Sequence, residues 1–240
     1  MSKLKSAVLS LVGPKLLSKA KIFSNEAVGP GFRMITLESD SLHHSTWAAG
    51  GKVQINTGEW VMRTYTPLSI DSAKGQMTLL AFVSGAGPGS RWAKSARGGD
   101  TTNFKGPDGK IKLPTEGERL VIFGDETSFG LAAGIKRTLG ADTVIDFIFE
   151  VSSEEISKAA LVELRLTNAQ LFPKNTGVSV HANLSATLLK LFSKQSGMQC
   201  VLSGRAQSIQ ALRKSLQNAG VQGGQLMTKV YWSEGKVGLD

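Results

Sequence analysis

Arg63-Thr64-Tyr65-Thr66-Pro67-Leu68-Ser69 lies inside a longer extended run, Trp60 to Ile70. Its β-branched and aromatic residues, spaced by polar ones, predict a strand. Alternation along that strand places Arg63, Tyr65 and Pro67 on one face and Thr64, Thr66 and Leu68 on the other. These side chains suit a flat, anionic ligand. Arginine makes charge-assisted bonds to a pyrophosphate, and a tyrosine ring stacks on a planar heterocycle. A threonine hydroxyl bonds a ring nitrogen or carbonyl. An ordinary strand with one surface arginine has the same composition, so the segment has to be read with its surroundings.

Working outward, Phe32 to Leu37, Lys52 to Ile55, Gln76 to Val83 and Thr101 to Phe104 are further short extended runs, punctuated by Gly, Asp and Ser. Six or so short strands without long helices between them predict an antiparallel barrel or sandwich. One helical turn, Ser90 to Arg97, interrupts it. That turn follows Gly85-Ala86-Gly87-Pro88-Gly89-Ser90-Arg91-Trp92-Ala93. A glycine-rich turn opening a helix offers backbone N–H groups to an anion, and Ser90 adds a hydroxyl. A simple turn is the plain alternative.

After Pro114 the pattern changes. Leu120 to Phe123 is a buried-strand run ending in Gly124-Asp125, Leu131 to Leu139 reads as helix, and Val144 to Val151 is a second apolar strand. Gly177 to Ala182 and Gln199 to Ser203 are shorter strand candidates. Ser208 to Ala219 is helical, with Gly220 where a C-terminal cap belongs, and Thr228 to Trp232 closes as a strand. Strands alternating with helices predict a parallel α/β sheet. The expected organisation is an antiparallel β domain over residues 1–115 and an α/β domain over 116–240.

Composition removes other classes. The chain has 240 residues, 41% hydrophobic and 20% charged, an ordinary globular balance. No apolar run reaches the ~18 residues of a membrane span. Cys200 is the single cysteine, and the histidines are His43, His44 and His181, which excludes an internal disulfide or multi-cysteine metal site. Little is left for a histidine-based triad, so any chemistry is expected to come from a bound cofactor. The net charge is +9, and residues 1–120 hold 16 of the 28 basic and 9 of the 19 acidic residues. An anionic partner is expected on that half. No groove-reading motif or cluster of stacking aromatics points to nucleic acid. The lysine-rich first 21 residues, broken by Gly13-Pro14, lack the long apolar core of a secretory signal. They read as an amphipathic helix on a cytoplasmic protein.

Taken together, Arg-x-Tyr-Thr, the Gly87-Pro88-Gly89-Ser90-Arg91-Trp92-Ala93 turn, Gly99-Asp100 and Lys105-Gly106-Pro107 resemble the flavin-binding barrel of the ferredoxin reductase superfamily. Gly124-Asp125-Glu126-Thr127-Ser128 and Tyr231-Trp232-Ser233-Glu234-Gly235 narrow the resemblance to the siderophore-interacting protein family, cytoplasmic flavoproteins that reduce ferric siderophores. The likeness runs over about residues 18–238. It implies that the first domain is a six-stranded antiparallel barrel that binds FAD, with Arg63, Tyr65 and Thr66 on the flavin and its phosphates and Gly87, Pro88, Gly89 and Ser90 as the phosphate turn. Asp125, Glu126 and Thr127 match the loop that brings the second domain to the cofactor. The same carboxylates also suit a helix cap.

The family also implies a small basic cluster for the anionic chelate. Lys52 matches one member, and Lys229 and Lys236 are candidates for others. Leu68 stands where the family's strand motif has a second arginine, Ser84 where a histidine is common, and Ser233 where a basic residue follows the Tyr-Trp pair. The expected function is FAD-dependent reduction of a ferric siderophore, with ferredoxin or NAD(P)H as electron donor. A general NAD(P)H-flavin oxidoreductase and a non-catalytic ferric-siderophore binding module are the alternatives.

Overall fold

The computed structural model describes residues 17–114, 119–139, 143–174, 178–194 and 197–235. The chain divides into two compact units, Met1–Ile111 and Lys112–Asp240. The first is built from β1 (Ser18–Ala27), β2 (Phe32–Glu38), β3 (Lys52–Asn56), β4 (Met62–Tyr65), β5 (Pro67–Asp71), β6 (Gln76–Phe82), helix α1 (Pro88–Ser95) and β7 (Thr101–Asp108). All its strand pairs are antiparallel, in the order β4-β3-β7-β1-β2-β6-β5.

The two edge strands, β4 and β5, are separated in sequence by Thr66 alone. Seven strands laid flat would hold them about 29 Å apart, whereas Tyr65 to Pro67 spans at most about 7 Å. The sheet therefore rolls into a barrel whose seam is Thr66. Alternate residues fill it: Ala20 and Ile22, Ile35 and Leu37, Val53 and Ile55, Met77 and Leu79, and Phe104 form one buried cluster, as the period-two pleat requires.

The expected six strands are seven. The Trp60 to Ile70 run breaks at Thr66 into two strands, and residues from Ser18 onward extend as β1 instead of continuing a helix. The part of the expected N-terminal helix before Leu17 lies outside the described residues. The expected alternation holds from Arg63 to Tyr65 and ends at the seam, after which Pro67 and Leu68 are both buried.

The second unit has β8 (Leu120–Gly124), α2 (Phe129–Leu139), β9 (Ile145–Val151), α3 (Glu154–Glu163), β10 (Gln170–Pro173), α4 (Val178–Phe192), β11 (Gln199–Arg205), α5 (Ala206–Asn218) and β12 (Leu226–Trp232). Its five strands are parallel in the order β10-β9-β8-β11-β12, the doubly wound arrangement. The chain order reverses between β8 and β11. Leu184 and Leu188 of α4 and Ile209, Leu212 and Leu216 of α5 pack with Val121, Phe123, Ile148 and Leu202. Cys200 is sealed in the same cluster, and burial pushes its thiol up. Gly220 takes φ 91° just past α5, as a C-terminal cap does.

Gly177 to Ala182 is not a strand: from Val178 onward it is the first turn of α4. Its β-branched alternation imitates a strand, but leucines at 184, 188 and 191 continue the helical period and all three are buried. Helix α3 and strand β10 were not expected, although Ser153 is a plain N-cap whose hydroxyl accepts the Ile156 N–H at 3.4 Å. Among the described residues no helix is long and apolar enough to cross a membrane.

The β3–β4 hairpin turns through Glu59 and Trp60 at φ 48° and 59°, closed by Thr57 N–H to Val61 O at 2.9 Å. Left-handed backbone costs an L-residue roughly 1–2 kcal/mol, partly offset by the entropy that glycine loses on folding. Glu59→Gly should raise stability by about 0.5–1 kcal/mol. Urea unfolding with an unchanged m-value checks this; a loss of stability would mean the Glu59 side chain supports the turn.

Candidate functional site

In the first unit the two motifs meet. A Cβ at Gly89 would lie 2.9 Å from the Tyr65 hydroxyl and 3.5 Å from Arg63 Cγ, so the start of α1 rests against the two strand side chains and a larger residue there would push the Tyr65 ring aside. Tyr65 also packs on Trp92 of α1, with ring centroids 5.8 Å apart. Burial pushes the Tyr65 hydroxyl up, above the ordinary phenol range, while the Arg63 charge pulls it the other way. Tyr65 is therefore neutral at physiological pH and keeps a proton to donate.

Gly87 is the N-cap of α1 and Pro88 its first residue, with no side chain capping the helix. The first-turn N–H groups at Gly89 and Ser90 have no intrahelical partner in such a helix, and they carry the positive end of its dipole. Ser90 Oγ donates to Ser84 O at 2.8 Å, and Arg91 Nη1 donates to Ala86 O, so the glycine loop is laced to the helix start. Cβ atoms at Gly85 or Gly87 would meet nothing within 4 Å. One Arg63 Nη1 proton goes to Met62 O at 2.8 Å, which leaves other donors on the guanidinium fork. Thr66 is buried at the seam. A bare helix start, an arginine fork and a tyrosine ring converge, and they suit a pyrophosphate joined to a flat ring.

In the second unit the carboxyl ends of the strands are tied together. Asp125, 0% exposed, follows β8 and caps the next turn. Its Oδ1 accepts Thr127 N–H at 2.9 Å and the Thr127 hydroxyl, and its Oδ2 accepts the Trp232 indole N–H at 2.6 Å. Glu126, also buried, accepts Ser152 N–H at 2.6 Å and pairs with Lys174 Nζ at 2.6 Å. Lys174 stands 3.9 Å from Asp125 and 5.2 Å from the Trp232 ring centroid. Beside this, Arg205 at the end of β11 pairs with Glu150 at 3.4 Å and with Glu234 at 3.7 Å, and Ser208 Oγ donates to Glu150 at 2.6 Å.

Burial raises the Asp125 carboxyl, opposed by Lys174 and by the Thr127 and Trp232 bonds. Burial also pushes Glu126 up, but Lys174 and the Ser152 N–H outweigh it and leave Glu126 below the ordinary range. Thr127 is exposed. Sequence reading named Asp125, Glu126 and Thr127 but missed Lys174, Glu150 and Arg205, because partners 48 or 55 residues apart leave no local pattern.

Lys52 is exposed at the start of β3, in register with Asp108 of β7. Lys229 is half-buried on β12, and Lys236 lies outside the described residues. Among the described residues no group of three or more His, Cys, Asp or Glu is placed to hold a metal ion.

An antiparallel flavin-type barrel followed by a doubly wound parallel sheet is the ferredoxin reductase-like architecture. Phthalate dioxygenase reductase, described as transferring electrons from pyridine nucleotides to [2Fe-2S], shares it at TM-score 0.72 and 12% identity, over 93% of this chain and 71% of that one. The siderophore-interacting protein of Acinetobacter baumannii aligns at TM-score 0.73 and 18% identity, over 92% of both chains. A siderophore utilization protein from T. fusca aligns at 0.73 and 20%, over 93% and 95%. Residues 52–111 match the siderophore-interacting FAD-binding domain and residues 117–235 the siderophore-interacting protein family. The chain belongs to the siderophore-interacting protein family, and FAD is the cofactor of its first unit.

The raised Asp125 carboxyl has a sign that can be measured. Above the ordinary aspartate range the folded chain still holds a proton that the unfolded chain has released. Stability therefore falls as pH rises through that window. Asp125→Asn, which keeps an acceptor for Trp232, should remove this fall, so the variant gains on the wild type toward neutral pH. Thermal melts across the acid-to-neutral range test it; parallel profiles would mean that Asp125 titrates normally.

Proposed function

We propose that this chain is an FAD-dependent ferric-siderophore reductase that releases Fe(II) from imported chelates in the cytoplasm. The supporting observation is the meeting of Arg63, Tyr65 and the uncapped α1 start at Gly89, within a siderophore-interacting FAD-binding domain. In this reading Arg63 and the N–H groups of the Gly87-Pro88-Gly89-Ser90 turn hold the FAD phosphates, and Tyr65 and Thr66 contact the flavin. Asp125 and Glu126 shape their loop, and Thr127, its exposed member, is the one placed to reach a ligand. Bound FAD supplies electrons to Fe(III). Hard catecholate and hydroxamate oxygens hold Fe(III) far better than Fe(II), so reduction alone loosens the metal. Lys52, Lys229 and Lys236 collect the anionic chelate. NAD(P)H and reduced ferredoxin are both chemically competent donors.

The deciding experiment bypasses the donor. Flavin reduced anaerobically with dithionite is mixed with ferric triscatecholate and ferric trishydroxamate, with a ferrous trap present. Return of the flavin band together with trapped Fe(II) is expected; a flavin that stays reduced would remove the reductase reading.

Two substitutions separate cofactor from substrate. Arg63→Ala loses a charge-assisted phosphate contact worth about 1.5–3 kcal/mol, or roughly ten- to a hundredfold in FAD affinity. Unchanged FAD retention through dialysis would count against the assignment. Lys52→Ala should raise KM for a triscatecholate complex more than for a neutral hydroxamate complex, and the difference should shrink with added salt. Equal effects on both chelates would take Lys52 out of substrate binding.

A further inference from the structure

We propose that Asn25 and Arg33 are positioning residues for the FAD phosphates: they hold the C-terminal end of α1 and so fix where the N–H groups at its other end point. This rests on the reading that places the FAD phosphates at the α1 start; the clamp itself is a property of the first unit.

Helix α1 has eight residues, Pro88–Ser95, and is about 12 Å long. A helix that short is not stable by itself, so its direction is set by what holds its two ends. At the first end Gly89 rests against Tyr65 and Arg63. At the other end the last carbonyls have no intrahelical partner. Asn25 serves two of them: its Nδ2 donates to Ala93 O at 2.9 Å and to Ala96 O at 2.7 Å. Arg33 fixes that amide from behind. Its Nε donates to Asn25 Oδ1 at 2.8 Å, and its Nη2 donates to the Asn25 backbone O at 2.8 Å. The bond to Oδ1 settles which way the amide faces, so both Nδ2 protons are aimed at the helix. The guanidinium charge also stands beside the negative end of the helix dipole.

A bulge puts Asn25 in this place. β1 pairs Ile22 with Leu37 and Ser24 with Thr36, so Phe23 is one residue extra. An unbulged strand would leave Asn25 on the face of Phe23, which is 59% exposed. With the bulge Asn25 stands opposite Ile35, an inward residue of the barrel core. Bulges re-aim side chains in this way. The exit of α1 is fastened to the same strand: Gly99 N–H donates to Ile22 O at 2.9 Å, and Ile22 N–H donates to Asp100 O at 2.8 Å. Ala93 is sealed in the core cluster. Moving α1 would break these contacts, so its phosphate donors are aimed before a ligand arrives.

The test compares three variants of the full FAD-loaded chain. Asn25→Asp keeps the shape of the side chain and loses both donors, Asn25→Ser is too short to reach both carbonyls, and Arg63→Ala removes the phosphate fork. Each is diluted serially, with released FAD read by its fluorescence and the folded fraction by far-UV circular dichroism. While the chain stays folded, a loss of global stability alone leaves FAD affinity unchanged. Asn25→Asp is expected to bind FAD about tenfold more weakly, the factor by which a helix seated a tenth of the time lowers affinity. Hydrogen exchange in residues 85–97 should speed up more than in β2 and β6. FAD affinity within about twofold of the wild type in folded Asn25→Asp, or exchange that speeds up evenly across the barrel, would overturn the clamp. Should Asn25→Asp unfold on losing FAD, Asn25→Ser decides by the same two criteria. Full FAD affinity in Arg63→Ala strikes the phosphate assignment instead and leaves the exchange result in force.

Discussion

One residue, Thr66, joins the two edges of a seven-stranded sheet, and the first unit follows from that restriction. A chain that must bridge the edges in a single step has to roll the sheet, and rolling sets which residues turn inward. It also places Arg63 and Tyr65 on the last turn-free stretch before the seam, where strand geometry is firm and a helix can rest against them. Arg63 and Tyr65 are thus held by the ladder of β4 against β3, while the glycine loop is tied down by Ser90 and Arg91. Position comes from the strand and donors come from the helix start.

The second unit solves a different problem. Six charged side chains gather at one edge of its sheet, four of them almost completely buried. Burying charge is unfavourable unless partners satisfy it. Here nearly every oxygen has a donor: a backbone N–H, an indole, a hydroxyl, an ammonium or a guanidinium. Removing one member would strand its partners. The network links β8, β9, β11 and β12 through side chains far apart in sequence, so loss of one buried member is felt on more than one strand.

How much of this could be read beforehand depended on range. The Arg63 to Ser69 strand, the glycine turn and the change of pattern after Pro114 are local signals, and they lead to the barrel, the parallel sheet and the FAD family. Strand β1 was hidden because its lysines alternate with small and apolar residues in a segment that also reads as amphipathic helix. Helix α4 was hidden because Val178, Val180 and the residues between them favour extension, and only the leucines a turn or more later decide otherwise. The β4–β5 break gave no local warning, since a seam is a property of the closed sheet. Lys174 and Arg205 likewise acquire meaning only when distant strands place them beside carboxylates.

Cys200 has one more implication. Ferrous iron and reduced flavin, in the presence of oxygen, generate peroxide, and thiolates are the side chains peroxide attacks most readily. The only sulfhydryl here is fully buried and held in its protonated, unreactive form. The described surface therefore offers no thiol to oxidise or cross-link.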